Sequence, residues 1–210
     1  MIGIMDWAPP IYKIVFVWIL FLYMKKKQSL SYYGIRSLKE LDSKALLYYI
    51  PFGLMVIANL SYGFDTSLSS EQILIGIITA LCVGCIEEIL FRGFLFKALL
   101  EKGKIFAIII SAFAFGFVHI LNLTVGADIV VTIMQIISAA AFGFACAVFI
   151  YKTKNIIPCI ICHELINTIG SFGKANTKKD IIFYALSGVI SLAYGIYLLR
   201  MNKDVTKKTV

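Results

Sequence analysis

The sequence predicts an all-α, polytopic transmembrane helical bundle of about seven spans. Three observations carry that prediction. Of the 210 residues, 60% are hydrophobic and only 15% charged, against roughly 25% charged in an ordinary soluble domain, and the mean hydropathy is +0.88. The apolar residues fall into seven unbroken stretches of about the 17 to 25 residues that a helix needs to cross a bilayer. The basic residues lie between those stretches. Together these features exclude a soluble globular protein. The excess of 20 Lys and Arg over 12 Asp and Glu, a net charge of +8, is almost all lysine, with Arg36, Arg92 and Arg200 the three arginines. Little planar guanidinium is therefore on hand to read bases or phosphates, which argues against nucleic acid as a partner.

The first stretch, 7 to 24, ends at Lys25, Lys26 and Lys27. No basic segment precedes it and no small-residue cleavage site follows, so it reads as a retained helix rather than a signal peptide. Residues 25 to 44 place Ser31, Tyr32, Tyr33 and Gly34 between basic clusters, which suits either a segment lying at the headgroups or a plain positively charged loop. The second stretch is 45 to 63. The third, 72 to 91, can continue to about Leu100 if Arg92 and Lys97 snorkel toward the interface. The fourth is 105 to 123. The fifth, 129 to 151, holds Ser138, Ala139, Ala140, Ala141, Gly143, Ala145 and Ala147, small residues that let helices approach closely. The sixth is 155 to 173 and the seventh 181 to 199. No internal repeat, low-complexity tract or long linker separates them, so residues 1–210 are read as a single integral membrane domain.

Orientation follows from the basic residues. With the N-terminus outside and the C-terminus cytoplasmic, 16 of the 20 lie inside, and Lys174, Lys178 and Lys179 are left outside. A re-entrant sixth span would bring those three in, at the expense of the basic tail after Leu199.

A charge at membrane depth is costly and usually faces the protein interior, which makes each one a functional candidate. Glu87, Glu88 and Arg92 lie in or just beyond the third span, His119 in the fourth, His163 and Glu164 in the sixth, and these include both histidines of the chain. Residues four apart share a helical face. Glu88 can therefore pair with Arg92, while Glu87 points about 100° away from Glu88. By the same spacing Phe115 lies under His119, and His163 shares a face with Asn167. Two polar groups stacked one turn apart can aim donors at one point, as an oxyanion site requires.

These residues, in this order, resemble a known set. Glu87-Glu88-Ile-Leu-Phe-Arg92, Phe115-Gly-Phe-Val-His119 and His163-Glu-Leu-Ile-Asn167 are similar to the motifs EExxxR, FxxxH and HxxxN of the CaaX protease and bacteriocin-processing family, also called the Abi family. The resemblance covers about residues 70 to 173. It implies an intramembrane endopeptidase in which Glu87 and His119 activate a water, His163 and Asn167 stabilise the oxyanion, and Glu88 and Arg92 support the site. The implied substrate is a small peptide or a lipid-anchored protein, with peptide maturation or bacteriocin self-immunity as the setting. The compact length and the Lys and Ile bias suggest a bacterial plasma membrane. The motifs name neither the substrate nor the oligomeric state.

Other readings stay open. His119, His163 and Glu87 offer a His₂Glu set for catalytic zinc, and His163-Glu-Leu-Ile-Asn167 resembles HExxH with its last His replaced by Asn, a poor zinc ligand. The leading expectation is a metal-free mechanism with no cofactor. Cys82-Val-Gly-Cys85 and Cys159-Ile-Ile-Cys162 would signal zinc in a soluble protein, but within apolar spans they read as packing residues. Glu164 has no assigned role. At the level of function, the alternatives are a non-catalytic scaffold or immunity protein of the same fold, which has no need of four such residues together, and a proton-coupled transporter, for which an inverted repeat is missing.

Overall fold

The computed structural model describes residues 4–38, 50–60, 63–173 and 176–201, and no strand occurs among them. The helices follow the apolar stretches. They are α1 (Ile4–Lys27), α2 (Ile50–Leu60), α3 (Ser70–Lys102), α4 (Lys104–Val125), α5 (Ile129–Thr153), α6 (Ile157–Ser171) and α7 (Thr177–Arg200). Five of them, α1, α3, α4, α5 and α7, are long and apolar enough to span a membrane. The expectation of about seven spans is thus met in part. Helix α6, with 15 residues, rises about 22 Å at about 1.5 Å per residue, short of the roughly 30 Å hydrocarbon core. The described part of α2 has 11 residues. Positions 45 to 49, 61 and 62 of the second apolar stretch lie outside the described residues, as do Lys39, Lys44, Lys174, Lys203, Lys207 and Lys208.

Local sequence sets the boundaries. Ser69 caps α3 in a reciprocal capping box with Gln72, Asp128 accepts from Val131 N–H at the start of α5, and Asn176 accepts from Lys179 N–H at the start of α7. Each supplies an acceptor to an otherwise orphaned helical N–H. Helices α3 and α4 are separated by Gly103 alone, whose φ of 113° is open mainly to glycine.

The bundle has two distinct ends. At one, residues 28–38 fold back onto the turn between α5 and α6. Ile156 N–H donates to Gly34 C=O at 2.8 Å, Asn155 Nδ2 donates to Arg36 C=O at 3.2 Å, and buried Tyr33 packs edge-on to Phe94 of α3 at 5.1 Å. The segment read as a headgroup stretch or a plain loop is therefore docked on the bundle. Lys25–Lys27, Lys97, Lys102, Lys104, Lys152, Lys154 and Arg200 gather here, with Lys152 Nζ donating to Met201 C=O to join the ends of α5 and α7. At the other end Trp7 Nε1 donates to Glu71 at 2.8 Å, and Asp65 N–H donates to Phe172 C=O at 2.8 Å.

Helix α5 is the most buried element and packs on α7 and α4. Its small residues serve that packing, with Ala145, Cys146, Ala147 and Val148 fully buried. Around the outside, Phe113, Phe117, Val125 and Val189 are more than 60% exposed, where a soluble protein rarely shows so continuous an apolar surface. Length, hydropathy and this outward apolar surface make the chain an integral membrane protein.

Candidate active site

Close helix approach brings the three motifs together. A Cβ on Gly84 of α3 would stand 2.8 Å from Glu164 Cγ and 3.2 Å from Glu164 N. Only glycine lets α3 and α6 lie so near one turn before Glu88. At the α4–α5 crossing a Cβ on Gly116 would meet Ile136 C=O and the Ala140 Cβ at 2.7 Å. Gly143 of α5 leaves room for Arg92 and Phe115, each 3.1 Å from where its Cβ would be. Glu164 itself is half-buried against Gly84 and does not line the cavities described below.

The centre of the site is a run of charge through the buried interior. Arg92 Nη1 lies 3.1 Å from Glu88 Oε1, both side chains fully buried, and the guanidinium carbon sits 4.0 Å above the Phe115 ring. Its nitrogens make no conventional hydrogen bond, so the carboxylate and the ring face offset the charge between them. Glu88 Oε1 also meets His163 Nδ1 at 3.1 Å. On its other side His163 Nε2 stands 3.6 Å from Glu87 Oε2. Adjacent acids thus take different positions around one imidazole, as the 100° step between them requires. Glu87 is 24% exposed, whereas Glu88 is sealed.

The helix departs from regular geometry at this point. From Ile89 to Phe96 α3 widens into a π-helix, a feature that often marks functional sites, and Arg92 lies within it. In α4 the α-helix gives way to 3₁₀ at Val118, one residue before His119. His119 Nδ1 contacts Phe115 C=O at 3.0 Å. A carbonyl only accepts, so Nδ1 carries the proton and Nε2 of the neutral ring keeps its lone pair. Phe115 is also T-stacked on both imidazoles, at 5.4 Å to His119 and 5.5 Å to His163, and Phe142 adds a second edge contact to His163 at 5.6 Å.

Two cavities adjoin these groups. One, of about 850 Å³, lies among α3, α4 and α6 and is lined by Glu87, His119, His163 and Asn167 together with Thr79 and Asn122. The other, of about 410 Å³, lies among α5, α6 and α7 and reaches the same two histidines and Asn167. Glu87, His119, His163 and Asn167 therefore face common space, while Glu88 and Arg92 stand behind them.

A zinc reading fares differently. Among the described residues, the one group of three or more His, Cys, Asp or Glu ligand atoms lying within 4.8 Å of one another is Glu88, Cys146 and Cys159. His119, His163 and Glu87 form no such group. Nor do the CxxC pairs meet as disulfides, since Cys82, Cys85, Cys146, Cys159 and Cys162 are all free.

Sequence reasoning passed over Gln135 and Asn122, which line the larger cavity and are joined by a 2.8 Å hydrogen bond from Asn122 Nδ2 to Gln135 Oε1. A signal existed. Thr132, Gln135 and Ser138 recur every third residue in an otherwise apolar span, one polar face of α5.

A carboxylate–imidazole–carboxylate array thus stands at the edge of a cavity enclosed by apolar helices. Residues 69–169 match the family model described as type II CAAX prenyl endopeptidase Rce1-like. This segment, which holds all three motifs, belongs to the Rce1-like CAAX protease family. No curated protein and no solved structure matches the chain.

Proposed function

We propose that this protein is an intramembrane endopeptidase that hydrolyses a peptide bond near the membrane in a small peptide or lipid-anchored substrate. The observation that supports it most is the contact of Glu87 with His163 at the edge of a cavity shared with His119 and Asn167. In this reading Glu87, the partly exposed acid, takes the proton of a water held between it and the unprotonated Nε2 of His119, and the hydroxide attacks the scissile carbonyl. The developing oxyanion is met by Asn167 Nδ2 and by His163. Because His163 Nδ1 is turned to Glu88, donation to the oxyanion falls to Nε2. Glu88 and Arg92 hold the imidazole in place from behind. The proton on Glu87 then passes to the leaving amine. No step in this reading needs a metal ion.

Sidedness follows from charge. The basic end of the bundle is the cytoplasmic one by the positive-inside rule, with the N-terminus outside and the C-terminus in the cytoplasm. Both cavities extend the other way, toward Gln72, Ser171, Gly173 and Asp180, so substrate enters from the outer side. The test is incubation of the detergent-purified protein with synthetic peptides, read by mass spectrometry, with Glu87→Ala in parallel. Internal cleavage by the parent and none by the variant supports the reading; equal cleavage by both removes it.

A further inference from the structure

The two cavities share four lining residues, His119, Gln135, His163 and Asn167. Three of these belong to the sequence motifs. Gln135 belongs to none. It sits on the second turn of α5, and the close α4–α5 crossing at Gly116 fixes its neighbours Ile136 and Ala140 against the helix that carries His119. Its Oε1 accepts from Asn122 Nδ2, three residues beyond His119 on the same 3₁₀ segment. With the acceptor end engaged, the amide has its two Nε2 protons to offer to the common space.

Both cavities have mixed walls, Phe142 and Phe183 beside Ser138 and Asp180 in the smaller, Ile75 and Val83 beside Gln72 and Thr79 in the larger. An enzyme that cuts within a chain needs room on both sides of the bond. We propose that the substrate occupies both cavities at once, with the chain on one side of the scissile bond in the smaller and the chain on the other side in the larger. It crosses between them at these four side chains, where Gln135 contacts it by donating from Nε2 to a backbone carbonyl flanking the scissile bond. This rests on the endopeptidase reading and adds to it a substrate-contacting residue and a path for the chain.

Two measurements test it. With a peptide cleaved by the parent, Gln135→Leu removes the donor and Gln135→Glu replaces it by an acceptor; both raise KM about 3- to 10-fold, the size of one neutral hydrogen bond, with kcat within about twofold. That split marks binding shared by ground and transition states. Parent kinetics in both variants, or a fall in kcat that tracks a fall in melting temperature, overturns the assignment. The second measurement needs no turnover. Gln135→Cys in the full-length protein is treated with a small methanethiosulfonate reagent, and modification at position 135 is located by peptide mapping to separate it from the five native thiols. Ile166→Trp fills the smaller cavity and Thr79→Trp the larger. Modification persists with either one filled and is lost with both. An unreactive thiol at position 135, or one blocked by a single filling, contradicts a crossing at this residue even if the parent cleaves no peptide and the endopeptidase reading falls on its own.

Discussion

Replacing Glu88 by Gln leaves the shape of the site intact and removes one charge. Arg92 is fully buried, its nearest opposite charge is Glu88 Oε1 at 3.1 Å, and its nitrogens have no other hydrogen-bond acceptor. Breaking a buried pair by removing one partner costs about 3 to 5 kcal/mol. In a chain of this length that is a fall of about 6 to 20 °C in melting temperature. The Phe115 face 4.0 Å from the guanidinium recovers on the order of 1 to 2 kcal/mol at most, which places the expected fall toward the lower half of that range. Adding Arg92→Met removes the stranded charge, so the double variant should regain at least half of the loss. It should not regain all of it, because His163 Nδ1 also rests on Glu88 Oε1 and a neutral amide holds an imidazole less firmly than a carboxylate does. The assay is thermal unfolding of detergent-purified protein for the parent, the two single variants and the double variant. A Glu88→Gln protein that melts with the parent, or a double variant no more stable than Glu88→Gln, refutes the argument that this pair is a compensated buried charge.

Further outcomes follow from the same geometry. Gly84→Ala puts a Cβ 2.8 Å from Glu164 Cγ and should destabilise by about 1 to 3 kcal/mol, whereas Gly53→Ala, inside α2 with nothing within 4 Å, should melt at or a few degrees above the parent, alanine being the better helix former; equal behaviour of the two contradicts a close α3–α6 contact at Gly84. Dialysis against a strong chelator should leave cleavage unchanged and metal analysis should find no stoichiometric zinc, while loss of activity restored by zinc would give the mechanism a Lewis acid. Reporter fusions after Lys27 and after Met201 should both report cytoplasm, and an external signal from the second would invert the direction of substrate entry.

The order of the helices was legible because each apolar stretch ends at lysine, glycine or an N-capping residue. The third helix shows why boundaries are harder. Its apolar count stops at Phe91, and the helix does continue past the expected Leu100 to Lys102, but Arg92 is buried and paired with Glu88 within the bundle instead of snorkelling. The motif residues could be placed on faces by simple periodicity, and Glu88 does meet Arg92 one turn on. What periodicity could not give was the partner across helices. That Glu88 also holds His163, and that Glu87 stands nearer His163 than any face argument suggested, depends on how closely α3 approaches α6 at Gly84. The π-helical segment at Ile89–Phe96 could not be read from the apolar periodicity of the stretch. Gln135 was visible as a polar residue in an apolar span, but its use became apparent only with Asn122 and the two cavities in place. The docking of residues 28–38 was hidden for a related reason, because Gly34 and Tyr33 find their partners, Ile156 and Phe94, far along the chain.

The central claim is that Glu87 is the base and Glu88 its silent neighbour, and turnover by Glu87→Gln tests it most directly. The amide keeps the size and hydrogen-bonding capacity of the side chain, and the position is 24% exposed at the cavity edge, so the protein should purify and melt like the parent. Cleavage of a peptide that the parent hydrolyses should fall by about 10² to 10⁴, the usual loss on removing a general base. Turnover within a few-fold of the parent, or a Glu87→Gln protein that is unstable while Glu88→Gln is stable and inactive, would contradict the account and move the catalytic base to Glu88.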